Sequence, residues 1–404
     1  MTPEIEKRIK AVKVGRVLAA HCLDGKKSQW NHLQISDLFD EVCEKNHPDA
    51  NVLTIIQGTG TVLREESGRE IIYDENSLAS YKFVKKDDFI IHLRSFEGGL
   101  EVANQDGIVS PAYIILRPKI DVSTAYLYAL FHSYQFINQT MVPAVEGARD
   151  GRSVKYDVLK KQKIFLPPLP EQKRIAEILS AQDKIIELKE KLIVEKQYQK
   201  KYLMKELLDE SAKQTFKLNG IVIDKKQWEK KILKDVCNFF DSERKPVKEA
   251  DRQKGIYPYY GASGVIDYVD SYIFDGSYIL LGEDGANIVF RSSPLAFKVS
   301  GKVWVNNHAH VLAPKDNNDI DFLVNYLESL NYEKYNTGTA QPKLNQDVVE
   351  KIELLMPSLP EQQAIAVVLS SADEEIALLQ RDLEQEKLKK KSLMQLLLTG
   401  LVRV

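Results

Sequence analysis

LPEQKRIAEILSAQDKIIEL (Leu169–Leu188) and LPEQQAIAVVLSSADEEIAL (Leu359–Leu378) open two copies of one segment. The copies lie 190 residues apart and align without a gap through Leu208 and Leu398, with 17 of 40 positions identical. Such a repeat implies a chain built by doubling one unit, a globular part followed by a long helix. A doubled protein has pseudo-two-fold symmetry, which suits a ligand with two similar halves.

Each copy reads as a helix start. IFLPPLPEQKR (Ile164 to Arg174) and LLMPSLPEQQA (Leu354 to Ala364) run from a strand end through a proline-stiffened turn. Pro170 fits the first helical turn, where its missing N–H costs nothing. Glu171 lies near the positive end of the helix dipole. Apolar residues then recur at three- and four-residue steps: Ile175, Leu179, Ile186, Ile193, Leu203 and Leu207 in the first copy. The second has Ile365, Leu369, Ile376, Leu379, Leu383, Leu393 and Leu397. This narrow seam predicts two helices of about 60 Å, each needing a partner. The obvious partner is the other copy, in an antiparallel coiled coil. Lys196 and Lys200 interrupt one seam, Glu386 and Lys390 the other. Crossed acid–base pairing and ordinary solvated charge are both open readings. Gly400 is the expected C-cap of the second helix.

The globular parts read as mixed and β-rich, an α+β class. VLTIIQ, DDFIIHL, GIVSPAYIILRP, SYILLGE and AHVLAP have strand character. Thr124–Gln139 and Ile320–Glu333 are helical candidates, each late in its unit. The expected divisions are residues 1–168, a first recognition-type domain; 169–212, a central helix; 213–358, a second domain; and 359–404, a C-terminal helix. Residues 209–217 are polar and read as a linker.

Bulk properties exclude several classes. The net charge is −2, which gives no support to a nucleic-acid partner. Residues 1–170 carry 22 basic and 22 acidic side chains, and residues 216–358 carry 18 and 20. Any basic face must therefore arise by folding. Cys22, Cys43 and Cys237 form no metal-ligand spacing and no disulfide framework, which fits a reducing cytoplasm. MTPEIEKRIKAVK has no apolar core of a signal peptide, and no run approaches membrane-spanning length. P-loop, dinucleotide-binding, HExxH and paired CxxC motifs are missing. No Asn-Pro-Pro-aromatic motif of amino-methyltransferases and no nuclease carboxylate cluster stands out. His308 and His310 could ligate a metal from alternate strand positions, but no third ligand is evident. A structural or DNA-contacting role fits them better.

PPLPEQ and PSLPEQ, each opening a long helix after a globular domain, resemble the specificity subunit of type I restriction-modification enzymes. WEKKILKDV (residues 228–236), YPYYGASGVI (Tyr257 to Ile266), LLGEDGANI (Leu280 to Ile288) and TGTAQPKLN (Thr337 to Asn345) resemble its second target-recognition domain. GIVSPAYIILRP (Gly107 to Pro118) and GARDGRSVKYDVL (Gly147 to Leu159) resemble the first. The resemblance implies a non-catalytic DNA-recognition subunit in which each domain reads one half of a bipartite double-stranded site. It implies that the helices set the spacing and dock two modification subunits. Those would carry S-adenosylmethionine and methylate adenine; no cofactor is expected in this chain. Two motor-nuclease restriction subunits would join for cleavage.

Arginine suits guanine because its planar fork matches O6 and N7, and Asn or Gln suits adenine. Polar loops carrying such residues give the candidates: Arg94, Ser95, Arg149, Arg152 and Lys155 in the first domain. In the second they are Arg244, Lys245, Tyr260, Ser263, Asn287, Arg291, Gln341 and Lys343. Each could equally be a solvated loop charge or a turn stabiliser, and Tyr259 and Tyr260 could be core. Two other functional classes stay open: a fused restriction-modification enzyme, and a coiled-coil adaptor without DNA binding.

Overall fold

The computed structural model describes residues 30–68, 75–147, 152–209, 211–212, 214–338 and 341–404. The chain divides into two compact units, one of residues 1–188 with 383–404, the other of residues 189–382. Both long helices form over the full forty residues, Leu169–Leu208 and Leu359–Leu398. Each unit thus holds one half of each helix.

The seam has the expected period. Along the first helix the positions 175, 179, 182, 186, 189, 193, 196, 200, 203 and 207 are all covered. The same positions plus 190 are covered in the second. Alternating steps of four and three are the heptad pattern of a coiled coil. In the first unit Ile175 and Leu179 pack with Leu393 and Leu397. In the second, Leu203 and Leu207 join Ile365 and Leu369. Within each unit the pairing is antiparallel. In the second, Lys189 meets Asp382, Lys196 meets Glu375 at 2.7 Å and Lys200 meets Asp373 at 2.6 Å. In the first, Arg403 meets Glu171 and Lys390 meets Asp183 at 2.5 Å. Gln182 donates to Glu386 at 2.7 Å. Lys196, Lys200 and Lys390 are therefore acid–base pairs across the seam, while Glu386 faces the neutral Gln182.

The two globular parts repeat one plan. The first contains a four-stranded antiparallel sheet in the order Phe39–Val42, Ile114–Pro118, Phe89–Ile91, Glu101–Val102. The second has the corresponding order Cys237–Phe239, Ala309–Pro314, Phe274–Gly282, Ala296–Val305. It is extended by Lys254–Gly261, parallel to its neighbour, and by Gly264–Val269. A separate two-stranded ribbon leads into each long helix: Asn31–Gln34 with Lys163–Leu166, and Glu229–Ile232 with Glu353–Met356. Short helices Tyr156–Leu159 and Gln346–Val349 keep the 190-residue offset.

The Pro-Glu-Gln start mounts each domain on its helix. Gln172 is buried; its amide donates to Pro167 O at 2.9 Å and its carbonyl accepts from Ser123 N at 2.9 Å. Gln362 does the same with Pro357 O at 2.9 Å and Asp319 N at 2.8 Å. Ser123 and Asp319 are themselves N-caps, of Thr124–Phe131 and Ile320–Ser329. The glutamates receive indole N–H groups, Trp30 on Glu171 at 3.3 Å and Trp228 on Glu361 at 3.4 Å. A charge near the helix N-terminus is thus also a receptor for the domain's first strand.

Three expectations need correction. The helix expected over Ile320–Glu333 ends at Ser329, where Leu330 turns extended, and a separate short turn covers Glu333–Tyr335. Thr124–Gln139 is not one helix: it stops at Phe131, and a π-helical stretch follows over Phe136–Met141. Ser133 Oγ accepts from Phe136 N at 3.2 Å, which restarts the chain in a new helical segment. Residues 209–217 are not all linker. Thr215–Leu218 pairs with Ile221–Asp224, turning at Asn219 and Gly220 with φ of 46° and 86°. Asn-Gly with both residues left-handed is the favoured two-residue hairpin turn. Gly400, at φ 68°, ends the second helix as expected. Among the described residues no helix is long and apolar enough to cross a membrane. Cys43 and Cys237 are free thiols, and burial pushes that of Cys237 up to about 12.

Leu369 is fully buried in the seam, so Leu369→Asp should cost several kcal/mol, combining lost burial with an unpaired charge. Glu374→Ala, on the exposed face, should shift stability by less than about 0.5 kcal/mol. Equal melting temperatures for the two variants would refute the seam.

Candidate nucleic-acid interface

In both units the same pair of loops converges. One follows the third strand of the shared sheet order, residues 92–100 in the first unit and 283–295 in the second. The other precedes the short helix that leads to the long helix. In the first unit the Arg152 guanidinium lies over the Phe96 ring at 4.8 Å and reaches Glu97 at 3.8 Å. In the second, Gly285 N donates to Pro342 O at 3.0 Å and Leu344 N to Glu283 O at 2.7 Å.

The second unit's loop pair rests on a buried ionic network. Asp241 accepts from His310 Nδ1 at 2.5 Å, and His310 Nε2 lies 2.8 Å from Leu344 O. Arg244 bonds Glu283 at 2.6 Å, Asp241 at 3.3 Å and Ala309 O at 2.8 Å. Lys343 closes the network on Glu283 at 3.2 Å. Asp241, Glu283 and His310 have metal-ligating atoms close together. Their acceptors are already matched by two fixed cations, so the cluster reads as a closed ionic network. His308 points elsewhere, to Asp284 at 2.8 Å. Asn336 Oδ1 accepts from Gly338 N at 3.0 Å and Lys343 N at 2.8 Å, closing the 336–343 turn. A Cβ on Gly338 would sit 1.8 Å from Gln341 O, so this turn needs glycine. Gly282 likewise lets the 262–263 turn approach, since its Cβ would lie 2.9 Å from Ala262 O.

Arg94, Arg152, Lys155, Lys245, Ser263, Gln341 and Lys343 all keep exposed side chains or backbone. Of these, Arg94 and Arg152 converge on Glu97, and Ser263, Gln341 and Lys343 lie on turns packed around the 283–295 loop. Other candidates are committed internally. Ser95 is fully buried and its hydroxyl accepts from His92 N at 2.8 Å, so it cannot reach a base. Arg244 is 12% exposed and its guanidinium is consumed by the network. Asn287 bonds Ser293 N and O, both at 3.0 Å. Arg291, left-handed at φ 50°, pairs with Glu328 at 2.7 Å over the Tyr332 ring. These three arginine and asparagine side chains shape loops. Tyr260 is half-buried against the core and burial raises its pKa. Arg149 lies outside the described residues.

The chemistry missed in the sequence lies beneath the first unit's loops. Fully buried Glu101 accepts from Gly58 N at 2.7 Å, His132 at 3.1 Å and Tyr128 OH at 3.3 Å. Burial opposes its charge, yet the His132 and Gly58 hydrogen bonds hold its pKa below the ordinary range. Burial also drives Tyr128 upward and His92 downward. No local motif marks this cluster, because Gly58, Glu101 and His132 are far apart in sequence.

The family model described as the type I restriction modification DNA specificity domain matches residues 27–195 and 225–388. The chain is 36% identical over 141 residues to a putative type I restriction enzyme specificity subunit of Haemophilus influenzae; the match covers 35% of this chain and 36% of that protein. With the type I restriction enzyme MjaVIII specificity subunit of Methanocaldococcus jannaschii it shares 27% over 403 residues, covering 91% and 88%. The fold matches that of the type I restriction-modification S subunit from M. genitalium, with a TM-score of 0.56, 17% identity and coverage of 91% and 96%. It also matches a chain from a type I R-M system structure concerned with complex assembly and conformational transition. That match has a TM-score of 0.60, 13% identity and coverage of 91% and 96%.

Glu283→Gln should keep the fold but leave Arg244 and Lys343 without their carboxylate. A buried charge-assisted pair lost on one side costs about 3–5 kcal/mol, and less where, as here, Arg244 keeps Asp241. The expected outcome is a lowered melting temperature together with loss of amide protection at Leu344. Unchanged exchange at Leu344 would show that the network does not hold the loop.

Proposed function

The chain belongs to the type I restriction-modification DNA specificity family, and from that premise we propose how it works. It recognises DNA; each unit reads one half of a bipartite duplex, and the helix pair sets the gap. The observation that carries this reading is the duplicated loop pair. The same two loops meet at the same place in both units, each mounted on a long helix by an equivalent glutamate and glutamine. A reader duplicated in this way suits a target with two short blocks. The near-neutral total charge is compatible with such reading. Positioning then comes from a few cations at loop tips, and base discrimination from directional contacts.

The chain itself performs no chemistry in this proposal. It binds no cofactor; S-adenosylmethionine sits on modification subunits, two of which dock on the helices, and two motor-nuclease subunits complete the restriction assembly. Exposed apolar side chains on the helices support the docking: Leu188 and Tyr198 on the first, Leu378 and Leu388 at the same positions plus 190 on the second. Single exposed apolar residues are ordinary; it is their recurrence at matched positions of the two helices that supports docking there. The cellular compartment proposed is the cytoplasm.

Selection from a random duplex library by the full chain with its modification subunits tests the reading. Two short blocks at a fixed gap are expected, and methyl transfer to adenine only when the modification subunit is present. A single block, or transfer of labelled methyl groups by the purified chain alone, would contradict it.

A further inference from the structure

The loop that follows the third sheet strand presents a strongly exposed apolar side chain in both units. In the second unit it is Phe290, 77% exposed at the end of the Asn287–Phe290 turn. In the first it is Leu93, 60% exposed just before the Ser95–Gly98 turn. Solitary exposed apolar residues are ordinary on protein surfaces. Here such a residue recurs on one topological loop in two diverged domains, ahead of the short helix in the first and at its end in the second, and in each case the turn beneath is hydrogen-bonded.

The Phe290 turn is held by Asn287, which bonds Ser293 on both sides, and by Arg291, which is anchored to Glu328 and stacked on Tyr332. The Leu93 turn is held by the buried Ser95 hydroxyl on His92 N and by Gly99 N on Ser95 O at 2.7 Å. Gly99 at φ 102° fits against Phe131 O, which a Cβ would approach to 2.5 Å. Partly exposed cations lie on the same loop pairs: Arg94, next to Leu93 in sequence, and Arg152 both meet Glu97, and Lys343 meets Glu283 at the start of the loop that carries Phe290. An apolar tip on a hydrogen-bonded turn, with cations on the same loop pair, fits a surface that is anionic outside and apolar within, as duplex DNA is: phosphates on the rim, base faces and thymine methyls in the grooves.

We propose that Phe290 and Leu93 are specificity-determining residues that contact the apolar surface of a nucleobase, one in each half-site. This rests on the reading that the loop pairs face DNA. The shared chemistry is apolar base surface, supplied either by a thymine 5-methyl group or by the face of an unstacked base.

The experiment uses the full chain with its modification subunits and the duplex recovered by selection. Phe290→Ala is expected to weaken binding at least ten-fold and to relax the sequence of one half-site only. Leu93→Ala should do the same for the other half, and Phe290→Trp should retain binding. Deoxyuridine in place of thymine should weaken the wild type but not Phe290→Ala if the methyl group is the contact. A rise in 2-aminopurine fluorescence that Phe290→Ala abolishes would identify an unstacked base instead. Lys343→Ala serves as the control for the face, weakening binding and lowering its salt dependence. If Lys343→Ala weakens binding and both alanine variants at the tips bind as wild type, the inference is overturned and the face reading stands. If none of the three weakens binding, the face reading itself fails. Weakened DNA binding that leaves both base probes as in the wild type, or loss of modification-subunit association instead, also overturns the inference.

Discussion

A buried glutamine at the start of each long helix is the joint on which the architecture depends. A forty-residue helix leaving a globular domain would pivot at its first turn unless something fixed its angle. Gln172 and Gln362 supply that constraint by bonding, with one amide, the turn before their own helix and the N-cap of a domain helix. Both amide ends are satisfied in a buried site, so the geometry is demanding: rotating the helix would strand polar groups away from water. The neighbouring glutamates add the indole of the first strand. These bonds tie each helix start to its own domain, as the proposed spacing of two half-sites requires.

The seam then dictates how the chain is partitioned. Because each helix half pairs antiparallel with the opposite half of the other, the first unit is discontinuous, residues 1–188 with 383–404, while the second is the continuous stretch 189–382. The polar positions within the seam reinforce this pairing. Lys196 and Lys200 meet acids on the first half of the second helix, and Glu386 and Lys390 meet Gln182 and Asp183 on the first half of the first. Single exposed pairs of this kind contribute little stability; they specify which half of each helix faces which. Their role is register more than strength.

Much of this was legible in the sequence because it is periodic or repeated. Heptad spacing named nearly every buried seam residue, and the doubled Pro-Glu-Gln stretch located both helix starts. Strand runs such as SYILLGE and AHVLAP became neighbours in one sheet. The function of Gln172 and Gln362 was not legible, since their partners lie some forty to fifty residues upstream. The Asn219-Gly220 hairpin was legible and overlooked, its polar flanks masking a strong turn signal. The binding residues were the least legible. Arg244, Asn287 and Arg291 look like contacts by type, and each is spent on loop scaffolding. Residue type alone does not distinguish a side chain that touches DNA from one that holds the loop that does. The proposed base contacts Leu93 and Phe290 carry no such signal by type, being apolar residues in loops.

The helix pair as ruler is the claim most directly open to measurement. A heptad inserted in register into both helices lengthens each by about 10 Å. At about 3.4 Å per base pair this is roughly three base pairs, and a rotation of about 100° given some 10–10.5 base pairs per turn. Methylated adenines mapped in a host carrying the lengthened chain with its modification subunits should show the two original half-site sequences across a wider gap. Recovery of the original gap at full occupancy would contradict the account.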